Sequence, residues 1–180
     1  MNFVQPIRDP ILLDEIKKFL RQDSERNYLL FVFGINTGLR IQDMLKLRVK
    51  DVKGDHIIMR EMKTDKQKWL LITPTLKREL KRYTANKPDE EYLFKSRQGR
   101  NKPLKRDMAY KILRKVADEF ELVDIGTHTM RKTFGYHFYQ KTKDLTLLQK
   151  ILNHSDSNIT LRYIGMDQDM MDKAINNFGL

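Results

Sequence analysis

Residues 127–135 read Thr127-His128-Thr129-Met130-Arg131-Lys132-Thr133-Phe134-Gly135. A threonine ahead of a helical run is an N-cap signal, so Thr127 is expected to cap a helix reaching about Lys141. His128 and Arg131 stand three apart at its start and share one face. Further along, Leu152-Asn153-His154 ends another helix, and Tyr163 follows His154 by nine residues. Upstream, Thr37-Gly38-Leu39-Arg40 sets an arginine directly after a glycine break. Between these stretches lie two β-prone runs, His56–Met62 and Trp69–Thr73. Lys63-Thr64-Asp65-Lys66-Gln67-Lys68 joins them, which predicts a β-hairpin with a basic, polar tip.

The rest of the chain reads as mostly helical. Asp9-Pro10 is an N-cap followed by proline in the first turn. Leu12, Leu13, Ile16, Phe19 and Leu20 then recur at helical spacing, giving an amphipathic helix over 10–22. A second helix over 24–36 is apolar nearly all round, which predicts burial, and a short helix follows over 40–47. Helices are also expected over 75–86, 105–120, 145–152 and 159–164. Tyr92-Leu93-Phe94 reads as a short strand between loops at 87–91 and 96–103. A last amphipathic piece over 168–177 has Met170, Met171, Ala174, Ile175 and Phe178 as its apolar set. The fold class is therefore α+β and mainly helical, with one small antiparallel sheet.

The 180 residues fit a single domain, and 40% of them are hydrophobic, enough for one core. Thirty-five Lys and Arg against 24 Asp and Glu leave a formal +11. A surplus of that size attracts polyanions, because neutralising phosphates releases condensed counterions. Nucleic acid is the first such partner. An anionic membrane surface is the rival, but the charge is spread along the chain rather than gathered on one amphipathic segment. The absence of cysteine excludes disulfides, thiolate metal sites and cysteine nucleophiles. The first residues lack the apolar stretch of a signal peptide, and the longest apolar run, 28–33, is too short to span a bilayer. A cytoplasmic location without a membrane partner is the default.

The sequence holds no phosphate-binding lysine loop, no dinucleotide glycine pattern and no HExxH. His56, His128, His137 and His154 lack the company of most zinc sites, so neither metal nor cofactor is expected. Any phosphoryl chemistry would fall to side chains. Singly, the polar residues picked out above are unremarkable. An arginine after a break is usually a capping or surface group, and a histidine near a helix C-terminus is usually a dipole partner.

Together they form an ordered series: TGLR, a lysine-threonine on a hairpin, HTMRKTFG, LNH and a tyrosine nine further on. This series resembles the catalytic domain of the tyrosine recombinases, or phage integrase family, over about 11–164. The resemblance implies a DNA strand transferase that needs neither ATP nor metal. Tyr163 matches the nucleophile that forms a 3′-phosphotyrosyl bond and expels a 5′-hydroxyl. Arg40 and Arg131 match the two arginines that stabilise the pentacovalent transition state, a task suited to guanidinium forks. Lys63, preferred over Lys66 and Lys68 by its place before Thr64, matches the acid that protonates the leaving oxygen. His128 matches the histidine that handles the tyrosine proton, since a phenol with a pKa of about 10 needs help. His154 matches the residue that donates a hydrogen bond to the phosphate. Asp43 matches a supporting acid, with a helix-surface salt bridge as the plain alternative.

The family fold joins a mainly helical domain to the lysine hairpin. It also implies double-stranded DNA as partner, and a homo-oligomer on DNA in which 168–180 passes to a neighbour or packs on its own subunit. Most members carry an N-terminal core-binding domain. The reading here is a single catalytic domain over 1–180, like the short phase-variation invertases or a mobile-element remnant. Two further readings remain open at this point: a non-catalytic DNA-binding or regulatory protein on the same fold, and a relaxing enzyme of the type IB topoisomerase kind.

Overall fold

The computed structural model describes residues 4–179. Helix α1 (Pro10–Asp23) starts at Asp9, whose side chain accepts the Ile11 amide at 2.8 Å. Leu13, Ile16 and Leu20 make its buried stripe and face α2 (Glu25–Thr37). As its composition predicts, α2 is buried continuously from Asn27 to Gly34 and forms the centre of the molecule. Helices α4 (Pro74–Thr84), α5 (Arg106–Glu119) and α6 (Thr129–Thr142) complete that core with Leu76, Leu80, Leu113, Val116 and Met130. Phe33 of α2 meets Phe94 edge-on at 5.6 Å. Full burial of such side chains contributes about 1.5–3 kcal/mol each before the ordering cost.

The hairpin forms as two strands, β1 (His56–Arg60) and β2 (Gln67–Leu71). The second arm starts and ends two residues earlier than the apolar run Trp69–Thr73 suggests. Its register is set at the tip, where the Glu61 amide donates to Lys66 O and the Asp65 amide donates back to Glu61 O. The pleat then turns Lys68 inward, 8% exposed, and leaves Trp69 and Leu71 outward at 64% and 59%. Hydropathy predicts the reverse, and Glu61 is the reason: this buried carboxylate gives the inward lysine a partner.

The C-terminal region has its own smaller core. α7 (Leu145–Leu152) and α8 (Ser157–Tyr163) are N-capped by Asp144 and Asp156. α9 (Met166–Phe178) follows and packs beside α8 on its own chain. Leu148, Leu152, Ile164 and Met166 form the buried cluster, against Phe134, Tyr136, Phe138 and Tyr139 of α6. Gly165 turns the chain between α8 and α9 at φ 73°, where the Arg8 guanidinium donates to its carbonyl at 3.1 Å.

Other boundaries differ from the sequence reading for identifiable reasons. The helix after Arg40 is only α3 (Ile41–Met44), followed by a 3-10 turn, Val49–Val52. His128, not Thr127, is the N-cap of α6, because residues before it form a turn in which Thr129 Oγ1 accepts the Gly126 amide. Tyr92 makes a single bridge to Arg48 rather than a strand. Among the described residues no helix is long and apolar enough to cross a membrane.

Candidate active site

The site is assembled at helix ends. Gly38 closes α2 in the left-handed conformation at φ 61°, where a Cβ would run into the Phe134 ring. Arg40 follows as the N-cap of α3. Its side chain is 16% exposed, and Nη1 lies 3.2 Å from Glu61 Oε2. Asp43, buried in α3, accepts the Met62 amide on Oδ1 at 2.9 Å. It thus tethers the hairpin beside Lys63. It makes no helix-surface salt bridge among the described residues.

Arg131 sits in the first turn of α6 and is 2% exposed. Nη1 donates to Gly38 O and Nη2 to Leu152 O, both at 2.5 Å. One guanidinium therefore ties the end of α2 to the end of α7. Burial lowers its pKa, but from so high a value that the charge persists at neutral pH.

Asn153, in the left-handed conformation at φ 52°, ends α7 and turns the chain so that His154 comes beside Tyr163. The two rings meet edge-on, 4.9 Å between centroids. His154 Nδ1 lies 3.1 Å from Thr160 Oγ1, whose hydroxyl also reaches Asp156 O at 3.2 Å. Burial and the charges of Arg131, Arg40, Lys63 and Lys68 push the His154 pKa down to about 4, so the ring is neutral. The hydroxyl decides the tautomer. Donating to Asp156 O, it leaves Oγ1 to accept from Nδ1–H, with Nε2 bare; turned to donate to Nδ1 instead, it puts the ring proton on Nε2.

Tyr163 ends α8 and is half-buried, with its Oη 3.3 Å from His128 Nδ1. Burial raises the phenol pKa, against the opposing pull of Arg131 and Arg40. The phenol is thus protonated at neutral pH and needs a base. His128 lies at the solvent-exposed rim, yet packing of its ring lowers its pKa, with Arg131, Arg106, Lys132 and Arg40 acting in the same direction. Neutral His128 with a bare Nδ1 is a competent acceptor for the Tyr163 proton.

Lys63 is exposed at the hairpin tip and, with Arg40, Gln42, Met62, Arg106 and His128, lines a cleft of about 320 Å³. Lys66 is exposed as well, but it does not line that cleft. Lys68 is enclosed, with Nζ donating to Glu61 Oε1 at 3.2 Å and to Ile151 O at 2.5 Å. The structure thus brings Arg40, Arg131, His128, His154 and Tyr163 together, with Lys63 at the mouth. Sequence reading missed Glu61, Thr160, Lys132 and Arg106, and it took Asn153 only as part of a helix end. Arg106 and Lys132 belong to a general basic excess, and Glu61 lies in an alternating strand run where only the fold reveals its burial. Among the described residues no group of three or more His, Asp or Glu could hold a metal ion.

The sequence profile of the phage integrase family matches residues 10–170. The chain is 52% identical to the probable integrase/recombinase YoeC of Bacillus subtilis (strain 168), over 99% of both chains. It is 26% identical to tyrosine recombinase XerA of Pyrococcus horikoshii, over 90% of this chain and 58% of that one. The solved structure of XerH in a post-cleavage complex with its difH substrate superposes with a TM-score of 0.71 at 23% identity, covering 96% of this chain and 53% of XerH. XerA recombinase superposes with a TM-score of 0.74 at 18% identity, covering 95% and 64% respectively. The chain therefore spans nearly all of YoeC but little more than half of these XerA and XerH chains. With an arginine pair, two histidines and a tyrosine meeting where three helices end, and with profile and relatives in agreement, this chain belongs to the phage integrase family of tyrosine recombinases.

Proposed function

We propose that this chain is a site-specific recombinase that cuts and rejoins double-stranded DNA through Tyr163. The observation that carries the reading is the 3.3 Å approach of His128 Nδ1 to the Tyr163 hydroxyl, beside two arginines. In the cleavage step Tyr163 Oη attacks the scissile phosphorus and forms an O–P bond. The bond from phosphorus to the 5′-oxygen breaks. The phenol proton passes to His128, and Lys63 supplies a proton to the leaving oxygen. Arg40 and Arg131 neutralise the equatorial oxygens as charge builds, and His154 donates to one of them once the Thr160 hydroxyl turns from Asp156 O to Nδ1 and the ring proton sits on Nε2. The phosphodiester energy is kept in the tyrosyl ester, and a 5′-hydroxyl from another strand reverses the step.

Arg131 is almost wholly covered, with Tyr163 against it. Engagement of DNA therefore requires the phenol to swing aside and let phosphate reach the guanidinium. The same reading places the chain with DNA in the cytoplasm, working as a homo-oligomer. Residues 168–180 are the candidate segment for exchange between neighbours. Met171, Ile175 and Phe178 support this, since they leave one side of α9 apolar and exposed.

The test uses duplexes enriched by binding from a random pool and nicked to trap the covalent product. The wild-type chain forms a protein–DNA adduct, and Tyr163→Phe forms none while still binding. An adduct that persists in Tyr163→Phe overturns the choice of nucleophile, and salt-dependent binding without any adduct overturns the strand-transfer reading.

A further inference from the structure

Glu61 holds a position that the chemistry above does not use. It is fully buried, yet it is charged. Burial pushes its pKa up, but the Asn153 amide, Lys68 and Thr64 outweigh that and hold it at about 2. Oε2 accepts from Asn153 Nδ2 at 2.6 Å and from Thr64 Oγ1 at 2.8 Å. Oε1 accepts from Lys68 Nζ at 3.2 Å. Arg40 Nη1 lies 3.2 Å from Oε2 but has no aligned hydrogen-bond partner among the described residues.

These contacts reach three separate parts of the site. Arg40 stands at the α2–α3 junction. Thr64, and the backbone of Glu61 itself, close the hairpin tip that presents Lys63. Asn153 is the residue whose left-handed turn presents His154. A buried charge with this many partners fixes their relative places, because losing it would leave cations desolvated and unpaired. The misaligned contact to Arg40 fixes the guanidinium electrostatically while leaving an Nη donor unused.

We propose that Glu61 is a positioning residue for strand cleavage: its buried carboxylate orients Arg40 and joins the lysine-bearing hairpin tip to the Asn153–His154 turn. This rests on the strand-transfer reading for its kinetic consequence but not for its geometry. Glu61→Gln keeps the shape and removes the charge. Since a displacement of about 1 Å in a catalytic group costs on the order of 100-fold in rate, adduct formation should slow by about that factor with DNA affinity little changed. A second variant guards against simple misfolding. The pair Glu61→Leu with Lys68→Met replaces the buried ions by apolar groups, so it should fold, yet it leaves Arg40 unheld.

The experiment has two arms. In the first, nitrogen relaxation of the Arg40 side chain is measured by NMR on the free protein. Arg40 should be rigid in the wild type and mobile in both variants. In the second, adduct rates are compared in Arg40 and Arg40→Ala backgrounds, where Glu61→Gln should cost less once Arg40 is gone, the remainder being its hold on the hairpin tip and the Asn153–His154 turn. Equal rigidity of Arg40 in a folded variant overturns the proposal. So do rate losses that simply multiply, or losses that track melting temperature alone. If no protein forms an adduct, the strand-transfer reading fails, and the relaxation arm still decides whether Glu61 holds Arg40.

Discussion

The two arginines and the tyrosine sit on cores of unequal size. Arg40 follows α2, which lies in the large cluster with Phe31, Phe33, Leu76 and Leu113. Tyr163 ends α8, which rests on Leu148, Leu152, Ile164 and Met166 and on partly buried rings of α6. The large cluster has the greater apolar burial to hold its groups in place. The small one can open at modest free energy, since local stability follows local apolar burial. Arg131 spans the two, one nitrogen on Gly38 O and another on Leu152 O. On the proposed function, Arg40 of the phosphate-binding pair stands on the larger core and the nucleophile on the smaller, less stable one.

Substitutions that attack one side and spare the other test this contrast. Phe31→Ala empties a fully buried site in the large core and should lower global stability by about 3–5 kcal/mol, measured by urea unfolding. Leu148→Ala removes a similar class of side chain from the small core. Its main expression should be faster amide exchange in α7 and α8, with the exchange of α2 unchanged. Equal effects of both substitutions on every helix would show one cooperative core and erase the contrast.

Arg131→Ala should act on both sides. It leaves two buried carbonyls without donors, at about 1–3 kcal/mol each, and adduct formation should fall by about 100- to 1000-fold. A smaller effect is expected from pH. His154 falls from its usual 6.5 to about 4 on folding, so its share of stability is complete above pH 6.5 and is lost as pH drops toward 4. Glu61 falls from 4.5 to about 2, so a second loss follows between those values. Urea midpoints against pH should therefore decline in two stages, and His154→Gln should shrink the first alone. The smallest effect belongs to Arg8→Ala. Its pair with Asp169 is exposed, so stability should fall by less than about 1 kcal/mol, while exchange in α9 quickens.

Much of the skeleton was legible because it is local chemistry. Asp9-Pro10 sets the start of α1, and the apolar face of residues 106–119 shows α5. The series from Arg40 to Tyr163 was legible through order and spacing. What escaped is tertiary. Lys68 read as a solvated tip residue because its buried partner, Glu61, is seven positions away and takes effect only after the hairpin has a register. Asp43 read as a surface or supporting acid, whereas folding brings it against the Met62 amide, nineteen positions on. Thr160 carries no signal in a sequence, and its link to His154 exists only once α8 turns back beneath the ring.

The outward face of the hairpin has a practical corollary. Trp69 is the chain's single tryptophan, and it stands 64% exposed on the strand that returns from the Lys63 tip. An indole in water emits at long wavelength and shifts to shorter wavelength when covered. Ordinary fluorescence, without any label, therefore watches the one strand pair that carries the proposed acid, and the colour of that emission reports whether the hairpin lies open to water or pressed against something else.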